Sequence, residues 1–162
     1  MTEVGIGLKK TPVAVRHATE ADVGSLVALM HDFYAEAGYA LDHDLASASF
    51  RSILNNASLG SVFLALVGEQ PIGHAVLAVR FTMEHYGLSG YIDDLYVAPA
   101  FRRLGAGAAL VDALVAQCRR LACMSVQVEV APTNSAALAL YERFGLAPSQ
   151  GDRALLTRVL QR

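Results

Sequence analysis

Residues 91–121 read YIDDLYVAPAFRRLGAGAALVDALVAQCRRL, an apolar strand followed by a turn and a long helix. Leu95-Tyr96-Val97 has strand character, and Pro99 stops the run because proline has no N–H to give a ladder. Arg102-Arg103-Leu104-Gly105-Ala106-Gly107 then opens a helix. Its apolar positions, Val111, Leu114, Val115, Cys118 and Leu121, recur at helical spacing. The first N–H groups of a helix lack partners within it and carry partial positive charge, so this start suits a phosphate. Gly105 and Gly107 have no Cβ and would let a bulky ligand approach the main chain.

Two familiar phosphate loops fail against this stretch. The P-loop needs Lys-Ser or Lys-Thr after its last glycine, and Ala108-Ala109 stands there. The dinucleotide fingerprint finds an acid, Glu129, at about the right distance, but Leu110 occupies its third glycine. Residues 98–104 also separate strand from glycine where that fold has a tight turn.

On either side, the chain alternates strands and helices. Residues 13–17 alternate as a strand, and Thr19 with Asp22 forms a capping box for a helix that Gly38 ends. Residues 44–55 read as a second helix with Leu45, Phe50, Ile53 and Leu54 inward. Strands are expected over 61–67, 72–81 and 91–97, with a turn at 68–71 and a connection over 86–89. A further strand over 124–130, a helix from Pro132 to Phe144 capped by Gly145, and a last strand over 154–160 complete the order. That order predicts an α/β fold with a mixed, mostly antiparallel sheet and flanking helices. Residues 1–12 have no period and read as a loose tail before a single domain over 13–162.

Composition narrows the function classes. The chain of 162 residues is 54% hydrophobic and 17% charged, which argues for a real core. A formal net charge of -2 gives no reason to expect nucleic acid as partner. No apolar run approaches the ~20 residues of a membrane span. The start, MTEVGIGLKKTPVAV, lacks a signal-peptide pattern, so a cytoplasmic setting is expected. Cys118 and Cys123 fit neither a redox nor a zinc spacing, and the five histidines show no ligand pattern, so no metal is expected.

A second element accompanies the glycine loop. Asn134 and Tyr141 stand seven apart on the helix after Pro132 and therefore share a face. Together, YIDDLYVAPAFRRLGAG and NSAALALYERFGL (residues 134–146) resemble the GCN5-related N-acetyltransferase (GNAT) family, and the motif order is similar from about Val13 to Leu160. The resemblance implies the acyl-CoA N-acyltransferase fold, acetyl-CoA as co-substrate and, commonly, a homodimer. It places the main chain of Leu95, Tyr96 and Val97 along the pantetheine, like an added strand. It puts Arg102, Arg103, Leu104, Gly105, Ala106, Gly107 and Ala108 around the pyrophosphate, Asn134 on the pantetheine and Tyr141 beside the sulfur. The IDDLYV segment and Tyr141 look most like the diamine and polyamine branch.

Acyl transfer to an amine needs a proton acceptor, a donor to the carbonyl oxygen and an acid for the leaving thiolate. Tyr141 is the expected acid and the Leu95 N–H the oxygen donor. Asp93 is the expected proton acceptor, with Asp94 in its place if a strand bulge exchanges them, and Glu129 third. In the family, regions corresponding to Phe33, Tyr34, Glu36 and Glu84 border the acceptor, and acids among aromatics suit a cationic amine. A small-molecule amine is the expected acceptor. A protein amine, or acyl-CoA binding without turnover, are the alternatives.

Overall fold

The computed structural model describes residues 12–148 and 155–160. In chain order these form β1 (Val13–His17), α1 (Val23–Glu36), α2 (His43–Leu54), β2 (Gly60–Val67), β3 (Gln70–Thr82), β4 (Gly87–Val97), α3 (Ala106–Arg120), β5 (Ser125–Val128) and α4 (Ser135–Glu142). Short 3₁₀ turns at Glu20–Asp22 and Pro99–Phe101 precede α1 and α3. The strands lie side by side in the order β1-β2-β3-β4-β5. All neighbours are antiparallel except β4 and β5, which run parallel because α3 carries the chain back across the sheet. This is the mixed, mostly antiparallel sheet that the sequence predicts.

The SVFLALV run of β2 is apolar without alternation because helices cover both faces. Val62, Leu64, Leu66, Val76 and Tyr96 pack with Leu26, Leu29 and Phe50 of α1 and α2. Phe63, Ala65, Ala75, Leu77 and Ile92 pack on the other side with Leu110, Val111 and Leu114 of α3 and Tyr141 of α4. At the start of the first helix, Asp22 accepts the Thr19 N–H at 2.7 Å and both arms of the Arg16 guanidinium at 2.7 and 2.8 Å.

Several expectations change: the strand expected over 124–130 is Ser125–Val128, and the helix expected from Pro132 to Phe144 is Ser135–Glu142. The second helix starts at His43 rather than residue 44, because Asp42 is its N-cap and Oδ1 accepts the N–H groups of Asp44 and Leu45 at 3.0 Å. Leu45 is 49% exposed, because the stripe turned to the sheet is Ala46, Phe50 and Ile53 at i, i+4 and i+7. Residues 87–89 are strand, not connection: β4 begins at Gly87 opposite Thr82, and the turn lies over residues 83–86. Residues 155–160 form no strand: they pair with none of the described strands, and Leu155, Leu156, Val159 and Leu160 are exposed. Residue 154 and the tail at 1–11 lie outside the described residues.

The join of sheet to α3 is tightest at Gly90. A Cβ there would stand 2.3 Å from Sγ of Cys118, a buried free thiol, and 3.1 Å from Cδ1 of Leu77. Gly90→Ala is therefore expected to cost about 1–3 kcal/mol of stability by overpacking. Adding Cys118→Ala should return part of it, a non-additivity that thermal denaturation of the single and double variants will measure.

Candidate active site

β4 and β5 pair over only a short ladder, from Ser89↔Ser125 to Ile92↔Val128. β4 continues to Val97 with no strand on that side among the described residues. The Ala98 N–H donates to Ile72 O of β3 at 2.8 Å, so by alternation Tyr96 also faces β3. Leu95 and Val97 then direct their main-chain groups into the opening. An unpaired strand edge of this kind takes an extended ligand as an extra strand.

At the end of this edge lies the glycine loop. Arg103 has φ 65° and Gly105 φ 90°, both left-handed, and Gly105 is the N-cap of α3. Among the described residues, none of the N–H groups from Arg103 to Ala108 meets a main-chain or side-chain acceptor. The Ala109 N–H is the first that does, donating to Gly105 O at 3.0 Å. A row of unmet N–H groups at a helix start is an anion cradle. The two glycines do different things. Gly105 supplies the left-handed turn, whereas a Cβ on Gly107 would press Cδ2 of Leu140 at 3.3 Å, so Gly107 lets α4 lie close to α3.

Arg102, expected at the pyrophosphate, has its side chain engaged on the other side. Its NH2 group reaches both Glu36 oxygens at 2.8 and 2.7 Å, and its Nε donates to Val97 O at 2.8 Å. The guanidinium also lies over the Tyr96 ring at 5.6 Å, and the Tyr96 hydroxyl donates to Glu36 at 2.9 Å. Glu36, expected to face the acceptor, is thereby occupied as a strut between the end of α1 and the loop. Burial, and then Glu36, raise the Tyr96 phenol to about 12.

Tyr141 sits in the last turn of α4, 7% exposed. Burial raises its phenol to about 12. Its hydroxyl has no hydrogen-bond partner among the described residues and is not one of the fully enclosed polar atoms. Asn134 caps α4, its Oδ1 accepting the Ala137 N–H at 3.1 Å, which leaves the side-chain NH2 for another partner.

The β3–β4 register steps from Val76↔Asp94 to Leu77↔Ile92, so Asp93 is the extra residue of a bulge. Ile92 and Leu95 consequently share the α3 face, and Asp94 turns with Val76 toward the α1 side. The bulge brings both carboxyls together: Asp93 is raised above its usual 3.8 by burial and then by Asp94. Tyr34 is raised by burial and then by Asp94 and Asp93, so it borders the same pair. Tyr91 carries its hydroxyl beside Glu129, and burial followed by that carboxylate raises it to about 12. Arg80 covers the Tyr91 ring at 5.0 Å and bonds Gln127. Phe33 packs its ring 5.5 Å from Tyr96 and 5.8 Å from Tyr34, supporting them from below. Glu84 lies in the β3–β4 turn, beyond Gly87 and about 20 Å of strand from Asp93, apart from the others.

Three residues had escaped the sequence reading: Tyr91, Arg80 and His74. His74 is fully buried with no hydrogen bond on either ring nitrogen, and Nε2 lies 3.8 Å from Oδ2 of Asp94. A buried polar group left so costs about 1–3 kcal/mol. A lone polar side chain inside the apolar run of residues 72–79 was the available signal.

The strut carries a pH dependence. Arg102 first, and Tyr96 after the opposing effect of burial, hold the Glu36 carboxyl below its usual 4.5. A depressed carboxylate contributes stability above its unfolded value and loses it as pH falls through the folded one. The melting temperature of the parent chain should therefore fall more steeply than that of Glu36→Gln between about pH 5 and 3. Parallel slopes in calorimetry would show the pair to be inert.

A model of the acetyltransferase (GNAT) family matches residues 26–146. Among solved structures, an integron cassette protein, HFX_CASS3, from the mobile metagenome of Cole Harbour Salt Marsh is 37% identical, with TM-score 0.81 over 91% of both chains. An aminoglycoside acetyltransferase, meta-AAC0020, from an uncultured soil metagenomic sample, solved with sisomicin, shares the fold at 19% identity and TM-score 0.72 over 92% of this chain and 97% of its own. A predicted acetyltransferase from Clostridium acetobutylicum, solved with acetyl-CoA, does so at 20% and 0.73 over 89% and 96%. No curated protein matches the chain significantly. The open edge of β4, the cradle at α3 and the match over most of the sequence agree: the chain belongs to the acetyltransferase (GNAT) family and is an acetyl-CoA-dependent acetyltransferase.

Proposed function

We propose that the enzyme moves the acetyl group of acetyl-CoA directly to a primary amine of a small cationic molecule, of the polyamine, aminoglycoside or amino-acid kind. The row of unmet N–H groups from Arg103 to Ala108, beside the open edge of β4, carries this reading. The pyrophosphate of CoA fills the cradle, and the pantetheine lies along Leu95, Tyr96 and Val97 as an added strand. Arg102 serves by shaping the loop, and Asn134 offers its NH2 to a pantetheine amide. Asp93, Asp94 and Glu129, set among Tyr34 and Tyr91, give the acceptor side the charge and ring faces that favour an ammonium group. The aminoglycoside acetyltransferase that shares the fold lends support to a small polycationic acceptor.

The chemistry follows from these groups. An alkylammonium with pKa about 10.4 must lose a proton before attack; although the bulge meets the condition under which Asp94 was expected to replace Asp93, it leaves the two adjacent, and Asp93, made more basic by burial and by Asp94, accepts the proton through water. The amine nitrogen then bonds the thioester carbon while the Leu95 N–H stabilises the carbonyl oxygen, and the C–S bond breaks. Tyr141, raised to about 12, keeps its proton throughout the working range and meets the leaving sulfur as a donor. A thiolate of pKa about 8.5 is a weaker base than the Tyr141 phenolate, so Tyr141 supports the departing sulfur by donating a hydrogen bond, and any proton it passes on is replaced by the one the nitrogen sheds as the amide forms. A homodimer in the cytoplasm is the setting we infer, the exposed Leu155, Leu156, Val159 and Leu160 offering apolar surface to a second copy.

Free thiol release from acetyl-CoA should appear with small amines, and release confined to peptides would move the assignment to protein acetylation. Acetyl-CoA bound without release on any acceptor would leave a binding module. Tyr141→Phe should lower kcat by about 10²–10⁴ while acetyl-CoA affinity, read by calorimetry, changes little. An unchanged kcat removes Tyr141 from the mechanism.

A further inference from the structure

His74 enters the sheet from β3, opposite Tyr96 of β4, and its ring lies 6.1 Å from Phe50 and 6.3 Å from Tyr96. It is 0% exposed, and neither ring nitrogen has a hydrogen bond. A core residue with only a packing task has no use for two polar atoms, and Phe would fill the same space without that cost. Among the described residues the carboxylate that approaches is Asp94, Oδ2 being 3.8 Å from Nε2 with the Asp94 side chain 15% exposed. That is under an ångström beyond a hydrogen bond, a gap a small rotation of Asp94 closes. Asp94 adjoins Asp93 across the bulge, which is why its charge reaches the latter.

We propose that His74 is a positioning residue: its buried Nε2–H pins the Asp94 carboxylate against Asp93, so that Asp93 is the member of the pair that takes the acceptor's proton. The inference rests on the acetyl-transfer reading for the last step, and on geometry alone for the first. Two carboxyls side by side resist sharing two negative charges, and fixing one of them makes the other hold a proton more tightly. The other groups facing this pair are the Tyr34 hydroxyl from α1 and the Tyr91 hydroxyl of β4 with its partner Glu129, while Glu36, Asp32 and Arg102 surround Tyr96 next to His74. Phe50 from α2 brings no charge.

The test is an NMR titration of isotope-labelled aspartate, which needs no substrate, on the parent chain and on His74→Phe, His74→Gln and Asp94→Asn. Asp93 should titrate above 3.8 in the parent and move down in Asp94→Asn. His74→Phe should move it in the same direction, while His74→Gln, which keeps a donor amide near Nε2, should stay close to the parent. In the amine assay, the acidic limb of kcat/KM should follow Asp93 downward in His74→Phe, with KM for acetyl-CoA unchanged. An Asp93 midpoint equal in His74→Phe and the parent, while Asp94→Asn lowers it, overturns the proposal. Should His74→Phe fail to fold, the nitrogen spectrum of the parent ring decides: a proton on Nε2 is required, and a bare Nε2 overturns it. A parent that releases no thiol with any amine would sink the acetyl-transfer reading separately, since the titration still reports whether His74 and Asp93 are coupled.

Discussion

β4 and β5 start as hydrogen-bonded neighbours and then part, and that parting is the constraint on which the rest depends. A strand edge in a protein interior cannot leave its N–H and C=O groups unmet without cost. Here the ladder stops at Ile92↔Val128 while β4 continues to Val97, so the opening is lined by main chain rather than side chains. The helix that begins beyond it presents more unmet N–H groups, from Arg103 to Ala108. Most of that surface requires no particular side chain, which is why a run as plain as LGAGAA can build it.

What the side chains contribute is placement. Asp22, Asp42 and Asn134 each satisfy a helix start and so set where α1, α2 and α4 lie against the sheet. Gly107 brings α4 close to α3, and with it Tyr141, which packs largely buried on the α3 side of the sheet. The bulge at Asp93 changes which face the next residues use, so that Leu95 stays with the α3 core while Asp94 joins the side of α1. Core apolar burial holds these pieces, and the polar groups that interrupt it, His74 and Ser89, lie on the strands that border the site.

The sequence was most legible where one period ran long enough to speak for itself. The strand before Pro99, the glycine loop and the spacing of Val111, Leu114 and Cys118 fixed α3 and its neighbour strand without any contact being known. A bulge at Asp93–Asp94 could be named as a condition but not decided, because it depends on the partner strand's register, which one strand's sequence does not contain. Leu45 was assigned to the inward face from its apolar character, whereas the stripe that the sheet buries runs through Ala46, Phe50 and Ile53. The segment at 155–160 has a strand's alternation and no partner among the described residues, since pairing is a property of two segments and not of one. Arg102 was read as a ligand group from its place in the motif, and only the fold reveals that Glu36, far away in sequence, engages it.

The Arg102–Glu36–Tyr96 junction has a mechanical implication. It ties the last turn of the first helix, on one side of the cleft, to the loop on the other, through bonds of 2.7 to 2.9 Å. Stiffening the loop therefore stiffens the helix end as well, and the two walls lose motion together. Whatever first occupies one side narrows the range of shapes the second occupant meets, a cooperativity transmitted through restrained fluctuation without any shift of the backbone.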